Sequence, residues 1–382
     1  MEDFNHLIRI TDYQVLGKLQ DLFLRDDGTR LTSPEEWKEH RKRFIPTAVE
    51  LQYGTQPPRP EVFRVETCYT DRKSNSYRIY AGTREKQVSF LMKVIPPQNS
   101  KGPWPVAVDG DMSFNYAFDK AWTGCFTDRG IAIALFDRTE LAHDLKGEGF
   151  RKGQLYDVYP DYTFGALGAW AWGYSRCVDA LEYLGLADMQ CLAFTGHSRG
   201  GKTAMLAGAL DERATIVNPN ETNGGSCSCY RIHMKAITEL GEERRGETLD
   251  DLMTSFPYWF GRGMEAYRNR EEELPFDCHM LKALAAPRTL LIGEAASDIW
   301  SNPIGSWQTT MAVREAYRFL DAEKELFWYW RRGDHFHAIE DVNRLAELML
   351  YKRFGTPMTQ TFFQLPFPAP DLIFDWRAPE QA

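Results

Sequence analysis

Ser198 stands between two glycines in Gly196-His-Ser198-Arg-Gly200, a framing that marks a nucleophile held on a sharp strand-to-helix turn. The apolar run Gln190 to Thr195 precedes it and Ala204 to Leu210 follows, so the stretch reads strand, turn, helix. A hydroxyl at its ordinary pKa is a weak nucleophile. It needs an imidazole within hydrogen-bond reach and a carboxylate to orient that imidazole. The same residues also spell Gly196-x4-Gly201-Lys202-Thr203, the phosphate-cradling loop of nucleotide hydrolases. That reading wants the loop early in its domain and a strand ending in a magnesium-binding aspartate after it. Here several strands precede the loop and the matching strand, Ile131 to Asp137, lies upstream. Ester hydrolysis is therefore the favoured chemistry, with a P-loop nucleotide hydrolase as the alternative of a different class.

The chain has eight histidines. His6 and His40 lie in a polar N-terminal region, and His143, His233 and His279 lie in a loop or helical stretches with no strand end to present them. His197 is inside the elbow and is expected to point elsewhere. His335 and His337 follow a strand late in the chain, where the base belongs. Two acids qualify: Glu221 closes the strand after the elbow helix, and Asp298 closes the next one. Both strand ends should face one crevice. Asp334-His335-Phe-His337 has no further ligand at metallohydrolase spacing, and Cys227-x-Cys229 has no second Cys/His pair, so no metal and no cofactor are expected.

Elements able to position these groups follow from the pattern. Residues 1 to about 60 read as a helical, polar segment, with Ser33-Pro34-Glu35-Glu36 as a helix start and Glu36 to Leu51 as its body. Val62 to Tyr69, Ser76 to Tyr80 and Gln87 to Val94 read as antiparallel strands at a sheet edge. From Pro105 onward short apolar strands alternate with helices, the rhythm of a parallel sheet. Strands are expected at Val106 to Asp109, Ile131 to Phe136, Ala214 to Pro219, Arg288 to Gly293 and Leu326 to Trp330. Helices are expected at Ala166 to Leu184, Cys278 to Ala285, Ser306 to Leu320 and Ile339 to Phe354. The result is an α/β-hydrolase fold: a mostly parallel central sheet with helices on both faces, antiparallel strands at its N-terminal edge and an inserted lobe. Residues 1–60 would pack on a domain spanning 61–382, with the insertion at about 230–275.

Composition sets the outer limits. The chain has 382 residues, 43% of them hydrophobic, with 11 Trp, 23 Phe and 17 Tyr to fill a core or wall a cleft. A net charge of −9 disfavours nucleic acid, and the basic run Lys38 to Arg43 reads as a solvated helix face. No apolar run approaches a membrane span, and Met1-Glu2-Asp3-Phe4 lacks the features of a signal peptide. Seven scattered cysteines suit reduced, buried thiols better than a disulfide frame. The expected setting is cytoplasmic, or secreted only if a leader has been removed. The expected partner is a small-molecule or oligosaccharide ester, with no nucleic acid, membrane or protein partner.

Gly196-His-Ser198-Arg199-Gly-Gly-Lys202, Asp211-Glu212-Arg213 and Pro219-Asn-Glu221 together resemble the glucuronoyl esterases, carbohydrate esterase family 15, whose elbow reads G-x-S-R-x-G-K. The likeness extends through Gly224-Gly225, Cys229-Tyr230-Arg231, Leu274-Pro-Phe-Asp277-x-His279, Ala286-Pro287-Arg288, Asp298-x-Trp300 and Gly333-Asp-His335-Phe-His337, covering most of residues 104 to 354. The resemblance implies Ser198 as nucleophile, Glu221 as acid, His337 as base and Arg199 as oxyanion stabiliser. It further implies that Lys202 and Trp300 contact a sugar ring, with Asp298 as auxiliary acid. Acetyl or other carbohydrate esterase activity, or saccharide binding without catalysis, are the alternatives. Four departures stand out. His197 and Ala338 occupy the places of a disulfide pair that flanks serine and histidine in fungal members. Tyr230 replaces a usual Trp. The segment Thr248 to Gly263 offers no acidic contact for a glucuronate hydroxyl. Most known members are secreted, and no export signal is visible here.

Overall fold

The computed structural model describes residues 6–98, 100–114, 119–147, 149–358 and 365–380. Met1 to Phe4, read above for a leader, lie outside the described residues. Strand β1 (Arg9–Val15) is followed by a run of helical turns, Pro34–Glu36, α1 (Trp37–His40), Arg41–Phe44 and Ile45–Leu51, and then by β2 (Val62–Thr70), β3 (Asn75–Gly82) and β4 (Gln87–Ile95). Next come β5 (Trp104–Asp109), α2 (Lys120–Thr127), β6 (Ala132–Phe136), α3 (Gln154–Val158), α4 (Ala166–Tyr183), β7 (Ala187–His197), α5 (Arg199–Leu210) and β8 (Ile216–Asn220). The insertion carries β9 (Ile232–Ile237), β10 (Glu243–Arg245) and α6 (Leu249–Ser255). The chain continues through α7 (Cys278–Ala283), β11 (Thr289–Ala295), α8 (Pro303–Phe319), β12 (Leu326–Arg331) and α9 (Ile339–Phe354).

Nine strands form one sheet in the order β12-β11-β8-β7-β5-β6-β4-β3-β2. The six from β12 to β6 run parallel, while β4, β3 and β2 complete the edge antiparallel. Alternation explains why the central strands read as unbroken apolar runs. Val106 and Val108 of β5 face a layer with α4 and α5, whereas Ala107 joins Ile133, Trp122, Phe126, Leu345 and Leu348 under α2 and α9 on the other face. Residues on both faces are buried, so no polar alternation survives in the sequence. At the edge, β2 is mostly exposed, in keeping with its mixed composition.

The N-terminal region departs from the helical expectation. Arg9–Val15 is a strand that pairs antiparallel with β9 of the insertion, with β10 beyond it. Ile10, Thr11, Tyr13 and Val15 have strand propensity, but the strand is largely exposed and shows no core periodicity. Its partner lies more than 200 residues away. The expected helix body is real but broken into short 3-10, α and π turns. Pro46 lacks an N–H and crowds the preceding turn, which widens there. Nor is the basic run wholly solvated: Arg41 is buried and donates to the carbonyls of Leu284 and Ala286, at 3.1 Å for Ala286, docking this segment on the core. Six of the seven cysteines are buried and all are free thiols. Among the described residues no helix is long and apolar enough to cross a membrane.

Candidate active site

The turn between β7 and α5 has the geometry its glycines require. Ser198 sits at φ +56, ψ −118, a conformation a non-glycine residue adopts only under constraint, and its N–H donates to Asn220 of the neighbouring β8 at 2.9 Å. A Cβ on Gly196 would lie 2.6 Å from the Gly200 backbone, so strand and helix meet only where neither carries a side chain. The rival phosphate-loop reading fits this turn poorly. Lys202 is buried and donates to the carbonyl of Gly224 at 2.7 Å, the Thr203 hydroxyl donates to Arg199 at 2.8 Å, and the Ser198 N–H is already taken.

The carboxyl ends of β8, β11 and β12 bring the remaining groups to Ser198. His335 Nε2 lies 2.9 Å from Ser198 Oγ, and His335 Nδ1 lies 2.7 Å from Asp298 Oδ2. Asp298 accepts the Nδ1 proton, which leaves the Nε2 lone pair facing the hydroxyl. Glu221 reaches the same imidazole from the other side, with Oε2 3.5 Å from Nδ1. Its other contacts are to the loop: it takes the Phe336 N–H at 3.2 Å and pairs with Arg331, which also donates to the carbonyls of Asp334 and Phe336 and to Asp341. Burial raises Glu221 well above the ordinary carboxylate range and the charges of Asp341 and Asp298 add to this, against the pull of Arg331. Asp298 is the better placed of the two acids, and Glu221 holds the loop that carries the histidine.

The structure sets the other histidine of the pair, His335 and not His337, beside Ser198. Among the described residues His337 makes no hydrogen bond to Ser198; half-buried, it is stacked on His197 at 5.5 Å and set edge-on to Trp122 at 5.4 Å. Burial lowers His337 to about 3 and pushes His197 well below the usual imidazole value, so both rings are neutral at neutral pH. His197 does not point away as expected. It packs 4.7 Å from His335 and hydrogen-bonds Asn220 at 2.8 Å, walling that imidazole on one side. With His335 at the serine, the residue following the histidine is Phe336, not Ala338. The local pattern H-x-H offers both rings equally. Only the path of the loop, fixed by Arg331 and Glu221, decides which one is presented.

A second cluster flanks the serine. The Trp300 indole donates to Glu247 Oε1 at 3.0 Å, and the Glu247 N–H donates to the Trp300 carbonyl at 2.9 Å. Glu247 Oε2 lies 3.9 Å from the Lys202 ammonium and, among the described residues, has no hydrogen-bond partner. Burial raises Glu247 to about 7 against the pull of Lys202, and burial lowers Lys202. An acidic side chain therefore stands one residue before the segment Thr248 to Gly263. No local signal distinguishes it, because its burial comes from contacts remote in sequence. Arg199 opens α5, where its N–H has no acceptor within the helix, and its guanidinium meets Asp144 at 3.1 Å.

His197, Glu221 and His335 each offer a donor atom within 4.8 Å of one another. All three are already committed, to Asn220, to Arg331 and to Asp298 with Ser198 respectively. A divalent cation would also sit against the Arg331 guanidinium. The arrangement is a hydroxyl–imidazole–carboxylate relay beside a polar shelf with one aromatic face, a geometry able to support acyl transfer.

Comparison with known proteins identifies the family. Residues 79–321 match the family model described as fungal glucuronyl esterase. The chain is 28% identical to a 4-O-methyl-glucuronoyl methylesterase of Podospora anserina over 89% of this chain and 69% of that one. It is likewise 28% identical to one of Hypocrea jecorina, over 95% and 76%. Among solved structures it superposes on a carbohydrate esterase family 15 glucuronoyl esterase from Caldicellulosiruptor kristjansonii with a TM-score of 0.83 and 29% identity, covering 95% of this chain and 98% of that chain.

Proposed function

Because the chain belongs to the glucuronoyl esterase family, and is thus a carboxylic ester hydrolase of α/β-hydrolase fold, we propose that it cleaves esters of a uronic acid carboxyl group through Ser198, His335 and Asp298. The observation that carries this is the continuous relay from Asp298 Oδ2 through the imidazole to Ser198 Oγ, with steps of 2.7 and 2.9 Å. His335 Nε2 takes the serine proton as Oγ attacks the ester carbonyl, and Asp298 stabilises the imidazolium that forms. His335 then returns the proton to the departing alkoxide, leaving the acyl group on Ser198. Water then gives a proton to His335 as its oxygen bonds to the acyl carbon; the bond from that carbon to Oγ breaks, His335 returns the proton to Ser198, and the acid is released. The N–H and guanidinium of Arg199 meet the oxygen that becomes negative in each tetrahedral intermediate. Lys202, Glu247 and Trp300 hold the sugar of the acyl group: the carboxylate and ammonium take its hydroxyls, and the half-exposed indole covers its ring face. The family resemblance assigned the acid to Glu221 and the base to His337. In this reading Glu221 supports the histidine loop and His337 takes no part.

Benzyl glucuronate, methyl galacturonate and acetylated sugars, assayed side by side with wild type and Ser198→Ala, test the reading. The glucuronate ester should be turned over best, and Ser198→Ala should lower kcat by about 10⁵-fold or more with the fold intact. Turnover retained in Ser198→Ala, or a clear preference for acetyl esters, would overturn it.

A further inference from the structure

Asp144 lies in the loop after β6, with its side chain 8% exposed, and collects three donors. Its Oδ2 accepts from Arg199 Nη1 at 3.1 Å, while its Oδ1 accepts from the Tyr258 hydroxyl at 2.9 Å and the Trp259 indole at 3.1 Å. A second guanidinium, that of Arg138, stands 3.7 Å from Oδ2. Phe256 and Trp259 are stacked with centroids 3.9 Å apart and planes 6° from parallel, and the Arg199 guanidinium lies 4.9 Å from the Trp259 centroid and 5.2 Å from that of Phe256. One carboxylate thus ties the arginine that follows the nucleophile to an aromatic corner supplied by the insertion.

A long, solvent-reachable arginine beside a reacting carbonyl carries many rotamers, and a donor helps a transition state only to the extent that it is already in place. Arg199 is anchored on one edge by charge and on its flank by rings, which leaves its remaining N–H groups and its backbone N–H for other acceptors. We propose that Asp144 is a positioning residue for Arg199: it fixes the guanidinium for the oxyanion and makes the Tyr258–Trp259 corner of the insertion part of the catalytic geometry. This rests on the oxyanion role given to Arg199 above, so the test separates the two.

Kinetics of wild type, Arg199→Ala, Asp144→Asn and the double variant on benzyl glucuronate form the first arm. Asn keeps one oxygen for Tyr258 and Trp259 but turns an amide N–H toward Arg199. The Asp144→Asn variant should lose about tenfold to a hundredfold in kcat with KM within about threefold. It should cost almost nothing further when Arg199 is already alanine. The second arm adds free guanidinium ion to Arg199→Ala. Turnover should recover in part when Asp144 is present and not at all in the double variant. If Asp144→Asn does not fold, Asp144→Glu, which keeps the charge and shifts the carboxylate by one methylene, replaces it and should show the same kcat-selective loss. An Arg199→Ala variant with unchanged kcat would overturn the oxyanion reading itself. A deleterious Arg199→Ala combined with full additivity, a loss confined to KM, or guanidinium rescue that ignores Asp144 would overturn the positioning role alone.

Discussion

Asp298 and His335, 37 residues apart in the chain, meet at 2.7 Å, whereas Glu221, the acid suggested by the resemblance, stands 3.5 Å from the same nitrogen and is engaged by Arg331. The two carboxylates should therefore fail in different ways when neutralised. Asp298→Asn should lower kcat by about 10³- to 10⁴-fold, because the amide no longer fixes the imidazole tautomer, with little change in melting temperature. Glu221→Gln should cost about tenfold to a hundredfold in kcat, and it should also lower the melting temperature measurably, because the loop loses one of the two carboxylates that engage Arg331. Steady-state kinetics with thermal unfolding on the same samples would distinguish them. Greater damage to kcat from Glu221→Gln would return the orienting role to Glu221.

The two histidines of the H-x-H pair separate as sharply. His335→Ala should lose about 10⁴- to 10⁶-fold in kcat on an activated aryl ester, while His337→Phe should stay within about tenfold of wild type. A dead His337→Phe variant that remains folded would contradict the geometry.

His337 also carries a pH signature in stability. Its imidazole is lowered to about 3 in the folded chain, against an ordinary value near 6.5, because burial disfavours the charged form. Below pH 6.5 the unfolded chain therefore binds a proton that the native state refuses, so this group's contribution is intact above that pH and falls as the medium is acidified toward 3. Between pH 6.5 and pH 5 the loss should be about 1.5 kcal/mol. Denaturant unfolding at the two pH values should show a correspondingly smaller difference in His337→Phe than in wild type. An equal difference would show that the ring titrates normally.

Glu247 and Trp300 should act on binding. Removing the carboxylate in Glu247→Gln, or the indole in Trp300→Ala, should raise KM for benzyl glucuronate about tenfold or more while sparing kcat on p-nitrophenyl acetate, which has no sugar to hold. Glu247 is raised to about 7, so its carboxylate charge, and with it its capacity to accept from hydroxyls, grows as pH rises through neutrality. KM for the sugar ester should fall over that interval in wild type and stay flat in Glu247→Gln. A pH-dependence shared by both enzymes would place it elsewhere.

The elbow, the parallel strands and the turn that holds Ser198 were legible in the chain itself, because they rest on local rules. Two glycines allow a close strand–helix approach, apolar runs mark strands buried on both faces, and an 18-residue helix of small and aromatic side chains, α4, announces itself by composition. Arg9–Val15 was not legible as a strand, since its pairing partner is in the insertion and its exposed faces show no period. The choices within the site were of the same kind. His335 over His337, Asp298 over Glu221, the burial of Glu247 and the clamp of Asp144 on Arg199 are each set by where a loop is pinned in space by residues distant along the chain. Hydrogen bonding acts over about 3 Å of separation in space, and sequence spacing does not encode that distance. The residue types therefore defined the chemistry available, and the tertiary fold decided which of several equivalent side chains stands beside the serine.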